Sequence, residues 1–197
     1  KMFKIWLIRH GMTEGNLKGR YIGKTDEHLC EQGRKALAEL SYPEPDEIFV
    51  SPMIRCRETA EILFPGKRFR IIDQLAETDF GDFENKNYRE LAGNPQYQQW
   101  VDSGGNLPFP GGESREEFRR RTLEGFQRVL TACARENKDS AAVIAHGGTI
   151  MTLMEAFGYP RRDFYSWHVK NGHCYLVETD LKLWQSGRQI LEVREEI

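Results

Sequence analysis

Two short apolar runs, Ile5-Trp6-Leu7-Ile8 and Ala142-Val143-Ile144-Ala145, each end on a histidine followed by glycine: Arg9-His10-Gly11 after the first, His146-Gly147-Gly148 after the second. A strand without a polar face has no side to give to water. Each run therefore belongs inside a sheet covered by helices on both faces, the setting of mostly parallel α/β sheets. Strand and helix patterns also alternate along the chain, with no internal repeat or low-complexity tract. The 197 residues are enough for one domain, burying roughly 70% of the surface the unfolded chain exposes. The expectation is a three-layer α/β/α sandwich around a mostly parallel central sheet, formed by residues 2–197 as a single domain. Lys1 precedes Met2, the first residue able to initiate, and is read as an addition to the natural chain.

Local signals place the other elements. Ile48–Val50 is a short strand running into Ser51-Pro52, which reads as an N-cap and first-position proline for a helix over Met53–Leu63. Phe69–Ile72 is a third strand candidate. Ser114-Arg115-Glu116-Glu117 is a capping box opening a long helix, whose apolar stripe runs from Phe118 through Phe126 and Leu130 to Cys133. The helix after His146 extends to Phe157 with Gly158 as its stop, and Cys174–Thr179 and Gln189–Val193 pair through a turn containing Ser186-Gly187. The segment 85–112 departs from this regularity: polar, with Tyr88, Tyr97, Trp100 and Phe109 among Gly, Pro, Asn and Gln. It reads as an insertion of short helices and loops on the substrate side of a site.

Charge and cysteine usage narrow the function. With 28 Lys plus Arg against 30 Asp plus Glu, a net charge of −2 and no basic block, no nucleic-acid partner is expected. The apolar runs are far shorter than the roughly 20 residues that span a bilayer. The N-terminus shows no signal-peptide pattern, so a cytoplasmic protein with no membrane partner is expected. Cys30, Cys56, Cys133 and Cys174 lie far apart without a metal-binding spacing and read as free thiols. Oligomeric state is left as monomer or homodimer.

The chemistry lies where the two buried strands end. Ligands of open α/β sheets bind at the carboxyl ends of the strands, so His10 and His146 should reach one crevice. Arg55, in the first turn of the helix after Ser51-Pro52, leans toward the same place. Two arginines, two histidines and a helix N-terminus favour an anion, and the fork of Arg suits a phosphate. A metal held by the two histidines is disfavoured, because the guanidinium groups repel a cation. Nucleotide-binding glycine loops, H-E-x-x-H and G-x-S-x-G patterns are absent from the sequence. His28 and His173 read as loop or solvent-facing residues, and His168 as the one other histidine near the site.

At this point the residues match a pattern. Arg9-His10-Gly11-Met12-Thr13-Glu14-Gly15-Asn16 resembles the R-H-G-x-T-x-x-N signature of the histidine phosphatase, or phosphoglycerate mutase-like, superfamily. The resemblance continues through Ser51-Pro52-Met53-Ile54-Arg55, Glu77-Thr78-Asp79-Phe80-Gly81-Asp82-Phe83-Glu84, Pro110-Gly111-Gly112-Glu113-Ser114 and His146-Gly147-Gly148, in order and along nearly the whole chain. It implies a phosphoglycerate mutase-like fold and a phosphatase of small-molecule phosphate esters working through a phosphohistidine, without metal or organic cofactor. It further implies His10 as nucleophile and Glu77 as proton donor, with Arg9, Asn16, Arg55, His146 and Gly147 on the phosphate. Glu84 is the rival acid. Thr13, Glu84, Tyr88 and Trp100 are substrate-side candidates, and Ser51 is explained by its cap.

Chain length, Phe80 to Glu84 and the block Trp167-His168-Val169-Lys170-Asn171-Gly172 are most similar to the α-ribazole phosphatase branch of cobalamin synthesis. The alternatives are a cofactor-dependent phosphoglycerate mutase, disfavoured by the compact 85–112 segment, and a non-catalytic phosphate-binding protein of the same fold. Cys30 stands where the family usually has a capping Ser or Thr, which is expected to weaken that cap. Cys56 and Asn85 replace a common Ala and Gly.

Overall fold

The structure, a computed structural model, describes residues 2–197; Lys1 lies outside the described residues. Among the described residues seven strands form one sheet in the order β3-β2-β4-β1-β6-β7-β5. They are β1 (Met2–Arg9), β2 (Glu47–Val50), β3 (Arg70–Ile71), β4 (Ser140–Ala145), β5 (Gly158–Tyr159), β6 (Cys174–Asp180) and β7 (Leu191–Glu196). The helices are α1 (Glu14–Leu17), α2 (Glu31–Ala38), α3 (Ile54–Leu63), α4 (Pro95–Asp102), α5 (Arg115–Arg135), α6 (Gly147–Phe157) and α7 (Leu181–Gln185). Neighbours β3-β2-β4-β1 are parallel, as are β7 and β5, while β6 runs antiparallel to both β1 and β7. The mostly parallel sheet and its helices are the expected α/β fold.

Burial of the central strands accounts for the layers. Along β1, Phe3, Ile5 and Leu7 enter one core with Phe126 and Leu130 of α5 and Ile150 and Leu153 of α6. Trp6 and Ile8 enter the other with Cys56 and Ala60 of α3. β4 divides in the same way, with Ala141, Val143 and Ala145 on the first face and Ala142 and Ile144 on the second. Alternate residues of a strand point to opposite faces, so a run apolar at every position needs two cores. A charge introduced within Ile5–Ile8 or Ala141–Ala145 has no solvent to reach.

Most element ends follow their local chemistry. Ser114 caps α5 in a reciprocal box with Glu117, an arrangement worth about 1 kcal/mol. Cys30 does act as the N-cap of α2, its Sγ accepting from the Gly33 N–H at 3.3 Å. Two expectations are corrected. The strands β6 and β7 pair antiparallel with Ser186-Gly187 in a turn between them as expected, but the short helix α7, capped by Asp180, precedes that turn. Helix α3 begins at Ile54 after Met53, which makes no side-chain cap, so Ser51 is not its N-cap. Among the described residues no helix is long and apolar enough to cross a membrane.

Candidate active site

Strand register brings the two histidines together. Arg9 pairs with Ala145 across β1 and β4, so His10 and His146 leave the sheet side by side, ring centroids 5.2 Å apart. Val50 of β2 pairs with Ile144, which sets Ser51 beside His146. This accounts for Ser51: its Oγ lies 2.7 Å from His146 Nε2 and accepts the Met53 N–H at 3.3 Å. A hydroxyl has one proton and two acceptor sites, so Ser51 Oγ either donates to Nε2 or accepts from it, according to the His146 tautomer. With Oγ as the donor, the neutral ring carries its own proton on Nδ1.

His10 Nδ1 lies 2.6 Å from the Gly11 carbonyl, to which it donates, so the lone pair sits on Nε2. Burial holds His10 well below the ordinary histidine value, and Arg55 and Arg9 push in the same direction. Burial, then Arg55 and His10, does the same to His146. Both rings are neutral near pH 7, as a nitrogen nucleophile requires.

The arginines are held by backbone carbonyls. Arg9 donates from Nη1 to Val169 O at 2.9 Å. Arg55, fully buried, donates to Thr25 O at 2.8 Å, Gly23 O at 3.0 Å and Ile22 O at 3.2 Å. The amide of Asn16 accepts through Oδ1 from Thr13 N and Asn171 Nδ2, so the group it offers an anion is its NH2. Three buried nitrogens around His10 lack a hydrogen-bond partner among the described residues: Arg9 Nε, Arg55 Nε and His146 Nδ1. Buried polar nitrogens are ordinarily paired, and leaving one unpaired costs about 1–3 kcal/mol. Nitrogen donors so placed suit an anion.

Glu77 faces this cluster from the loop after β3. Its Oε1 accepts from Thr78 N at 2.8 Å and its Oε2 from Gly148 N at 3.2 Å, at the start of α6. Burial raises its proton affinity above the ordinary carboxylate value, opposed by those two N–H groups and by Arg55 and Arg9. A Cβ on Gly148 would lie 2.5 Å from Glu77 Oε1 and would push that carboxyl out of its place.

A cavity of about 570 Å³ opens over these groups. Arg9, His10, Asn16, Glu77 and Gly147 line it, while Arg55 and His146 lie behind that surface. The 85–112 segment contributes Trp100, Gly105, Asn106 and Phe109, with Trp100 packed against Phe109 at 5.2 Å and stacked on Tyr97 at 6.1 Å. Phe164, Tyr165 and His168 line another part, and the Arg115 guanidinium lies 4.9 Å from the Phe164 ring centroid.

Of the four substrate-side candidates, only Trp100 lines the cavity. Thr13 is buried as the N-cap of α1, its Oγ1 taken by Asn16 N. Tyr88 is 62% exposed and touches Arg89 alone among the ring contacts of the described residues. Glu84 is the larger correction. Its carboxylate accepts from the N–H groups of Gly23, Lys24 and Thr25 and from the Thr25 hydroxyl at 2.6 Å. The carbonyls of this same loop hold Arg55. Glu84 therefore fixes the loop that holds Arg55, and its oxygens are taken up by that loop away from the cavity wall.

Sequence reasoning missed Arg20 and Tyr21 on the cavity wall, Asn171 against Asn16, and Arg121 of α5, which grips the Glu77 loop. Asn171 sits in a block already singled out. Arg121 is one of three consecutive arginines on an amphipathic helix, and nothing local distinguishes it.

The sequence profile of the histidine phosphatase superfamily (branch 1) matches residues 5–189. The chain belongs to that superfamily. It is 29% identical to the adenosylcobalamin/α-ribazole phosphatase of Salmonella typhimurium, over 86% of this chain and 87% of that protein. It is 32% identical to the 2,3-bisphosphoglycerate-dependent phosphoglycerate mutase 2 of Gloeobacter violaceus, over 75% of this chain and 72% of that one. The crystal structure of the α-ribazole phosphatase from Shigella flexneri shares the fold, with a TM-score of 0.82 at 22% identity, covering 98% of this chain and 96% of that chain. The enzyme class is accordingly that of a phosphatase, with phosphoglycerate mutase as the alternative chemistry among relatives.

Proposed function

We propose that this protein is a cytoplasmic, metal-independent phosphatase that hydrolyses a small phosphate monoester through a phosphohistidine on His10. The supporting observation is the set of unpartnered buried nitrogens on Arg9, Arg55 and His146 around a neutral His10 whose lone pair is on Nε2. A phosphoryl group seated there meets donors already in place as charge develops on its oxygens. The N–H of Gly147 at the start of α6 adds to them, that of Gly148 being taken by Glu77. His10 Nε2 attacks phosphorus, the bond to the ester oxygen breaks, and Glu77 protonates that oxygen as it leaves. Water then attacks the phosphohistidine, giving its proton to Glu77, and inorganic phosphate departs from a restored His10. Burial of Glu77 favours the protonated acid that the first step requires.

For the substrate, the aromatic wall of Trp100 and Phe109 in the 85–112 segment favours an ester with a planar ring, and α-ribazole 5′-phosphate fits both that wall and the named relative. The free thiols suit a reducing compartment. The test is steady-state turnover of α-ribazole 5′-phosphate, 3-phosphoglycerate and p-nitrophenyl phosphate in EDTA. The expected result is hydrolysis with the highest kcat/KM on the ribazole ester and inhibition by vanadate, which mimics five-coordinate phosphorus. Isomerisation of 3-phosphoglycerate outrunning all hydrolysis replaces this reading with the mutase. Glu77→Gln should cost about 10²- to 10⁴-fold on alkyl phosphates and far less on p-nitrophenyl phosphate, whose leaving group needs little protonation. Equal losses on both remove Glu77 from the acid role.

A further inference from the structure

The geometry points to Arg121, paired with Glu113, as the positioning residue that holds the Glu77 carboxyl where it meets the leaving oxygen. This rests on the acid role proposed for Glu77. Every N–H of the Arg121 guanidinium is in use. Nε donates to Glu113 Oε2 at 2.7 Å and Nη2 to Glu113 Oε1 at 2.7 Å. The remaining donors go to three carbonyls of one loop: Gln74 O at 3.0 Å and Ala76 O at 2.8 Å from Nη1, and Glu77 O at 2.8 Å from Nη2. Glu113 completes the grip, its Oε1 accepting from Asp79 N at 2.9 Å. The backbone on both sides of Glu77 is thus tied to one planar ion pair, between Arg121 on α5 and Glu113 in the loop just before that helix.

Chemistry explains why an arginine and a glutamate stand here. The loop is irregular between a 3-10 turn ending at Leu75 and another beginning at Gly81, so its carbonyls have no ladder to join. A guanidinium satisfies several at fixed angles, which a lysine ammonium with three rotatable donors does not reproduce. A bare cation beside Glu77 would favour its ionised form and spoil it as an acid. Glu113 removes that net charge while keeping the fork in place, so the pair supplies geometry rather than field. Glu77 Oε2 rests on Gly148 N at 3.2 Å, so a shift of the loop takes the carboxyl off that N–H.

A residue that only stabilised the fold would lower turnover of all esters together. Loss of positioning at the acid instead depends on the leaving group. The experiment measures kcat on p-nitrophenyl phosphate and on the better alkyl phosphate of the panel above, for wild type, Glu77→Gln, Arg121→Met and Arg121→Lys, with thermal melts confirming folded protein. Arg121→Met is expected to lose about 10- to 100-fold on the alkyl ester, the scale of a misplacement near 1 Å. On the aryl ester it should lose less than about threefold, with Arg121→Lys between it and wild type. Arg121→Lys carries the same comparison if Arg121→Met does not fold. Equal losses on the two esters, or no loss on either, in a folded Arg121 variant overturn the proposal while a split in Glu77→Gln leaves the acid standing. Glu77→Gln without a split overturns the acid role and the positioning role together.

Discussion

The two ends of the cavity are built on different principles. At the phosphate end the functional atoms belong to long or ionisable side chains that are buried, or in Arg9 half-buried, and tied down by backbone carbonyls: His10 to Gly11 O, Arg55 to the 22–25 loop, Arg9 to Val169 O. At the other end the lining is aromatic and partly exposed, with Tyr165 60% accessible and Trp100 and Phe109 held by ring contacts. Charge stabilisation fails if donors must reorganise during the reaction, so one end is locked by hydrogen bonds. Recognition of a leaving group needs only shape and surface, so the other is built from rings on a loop-rich segment.

This contrast is broken most directly at His10. His10→Asn should lower turnover of every ester on the order of 10⁴-fold or more and abolish an acid-labile phosphoenzyme in quench experiments. A His10→Asn protein that still turns over shows that the locked end does not carry the bond-breaking step. Glu84→Gln comes next. It weakens the anchor of the loop that holds Arg55, and a loss of about tenfold is expected on alkyl and aryl phosphates alike. A loss confined to alkyl esters restores Glu84 as the acid.

Smaller effects belong to the aromatic end. Trp100→Ala should raise KM for the ring-bearing ester about 3- to 10-fold and leave 3-phosphoglycerate hydrolysis unchanged. A uniform fall in kcat on all substrates, measured on the same panel, merges the two ends into one unit. The exposed Tyr88 serves as a control, with Tyr88→Ala expected to stay within about twofold on every substrate.

The smallest effect is on stability. The folded chain holds His10 and His146 below the ordinary histidine value, so their contribution is complete above about pH 6.5 and declines as pH falls through it. In that range the unfolded chain takes up protons the folded one refuses. Glu77 has the opposite sign: its raised value favours the fold most below the unfolded carboxylate range, and that contribution is lost as pH rises through the folded value. Below about pH 6.5 each histidine of the unfolded chain is more than half protonated, so the two together outweigh one carboxyl. The unfolding free energy of wild type from urea titration should therefore fall on acidification below about pH 6.5, by at most about 1.4 kcal/mol per pH unit for each histidine. His10→Asn should show a visibly shallower fall, and an unchanged slope removes His10 from the titration.

The sequence by itself determined the sheet, the position of both histidines and the anionic nature of the ligand. These follow from local chemistry: unbroken apolar runs demand two cores, and a residue directly after a central strand has only the sheet edge to occupy. Ser51, Glu84 and Arg121 show where local reading stops. Ser51 carries a local capping signal, yet strand register seats it on His146. Glu84 lies in a motif that resembles an acid's surroundings, yet its oxygens are taken by N–H groups some sixty positions earlier in the chain. Arg121 is indistinguishable from its neighbours until α5 packs on the loop after β3. Only tertiary structure decides such cases, because what a polar side chain does depends on which backbone groups arrive unpaired beside it, and those come from distant segments.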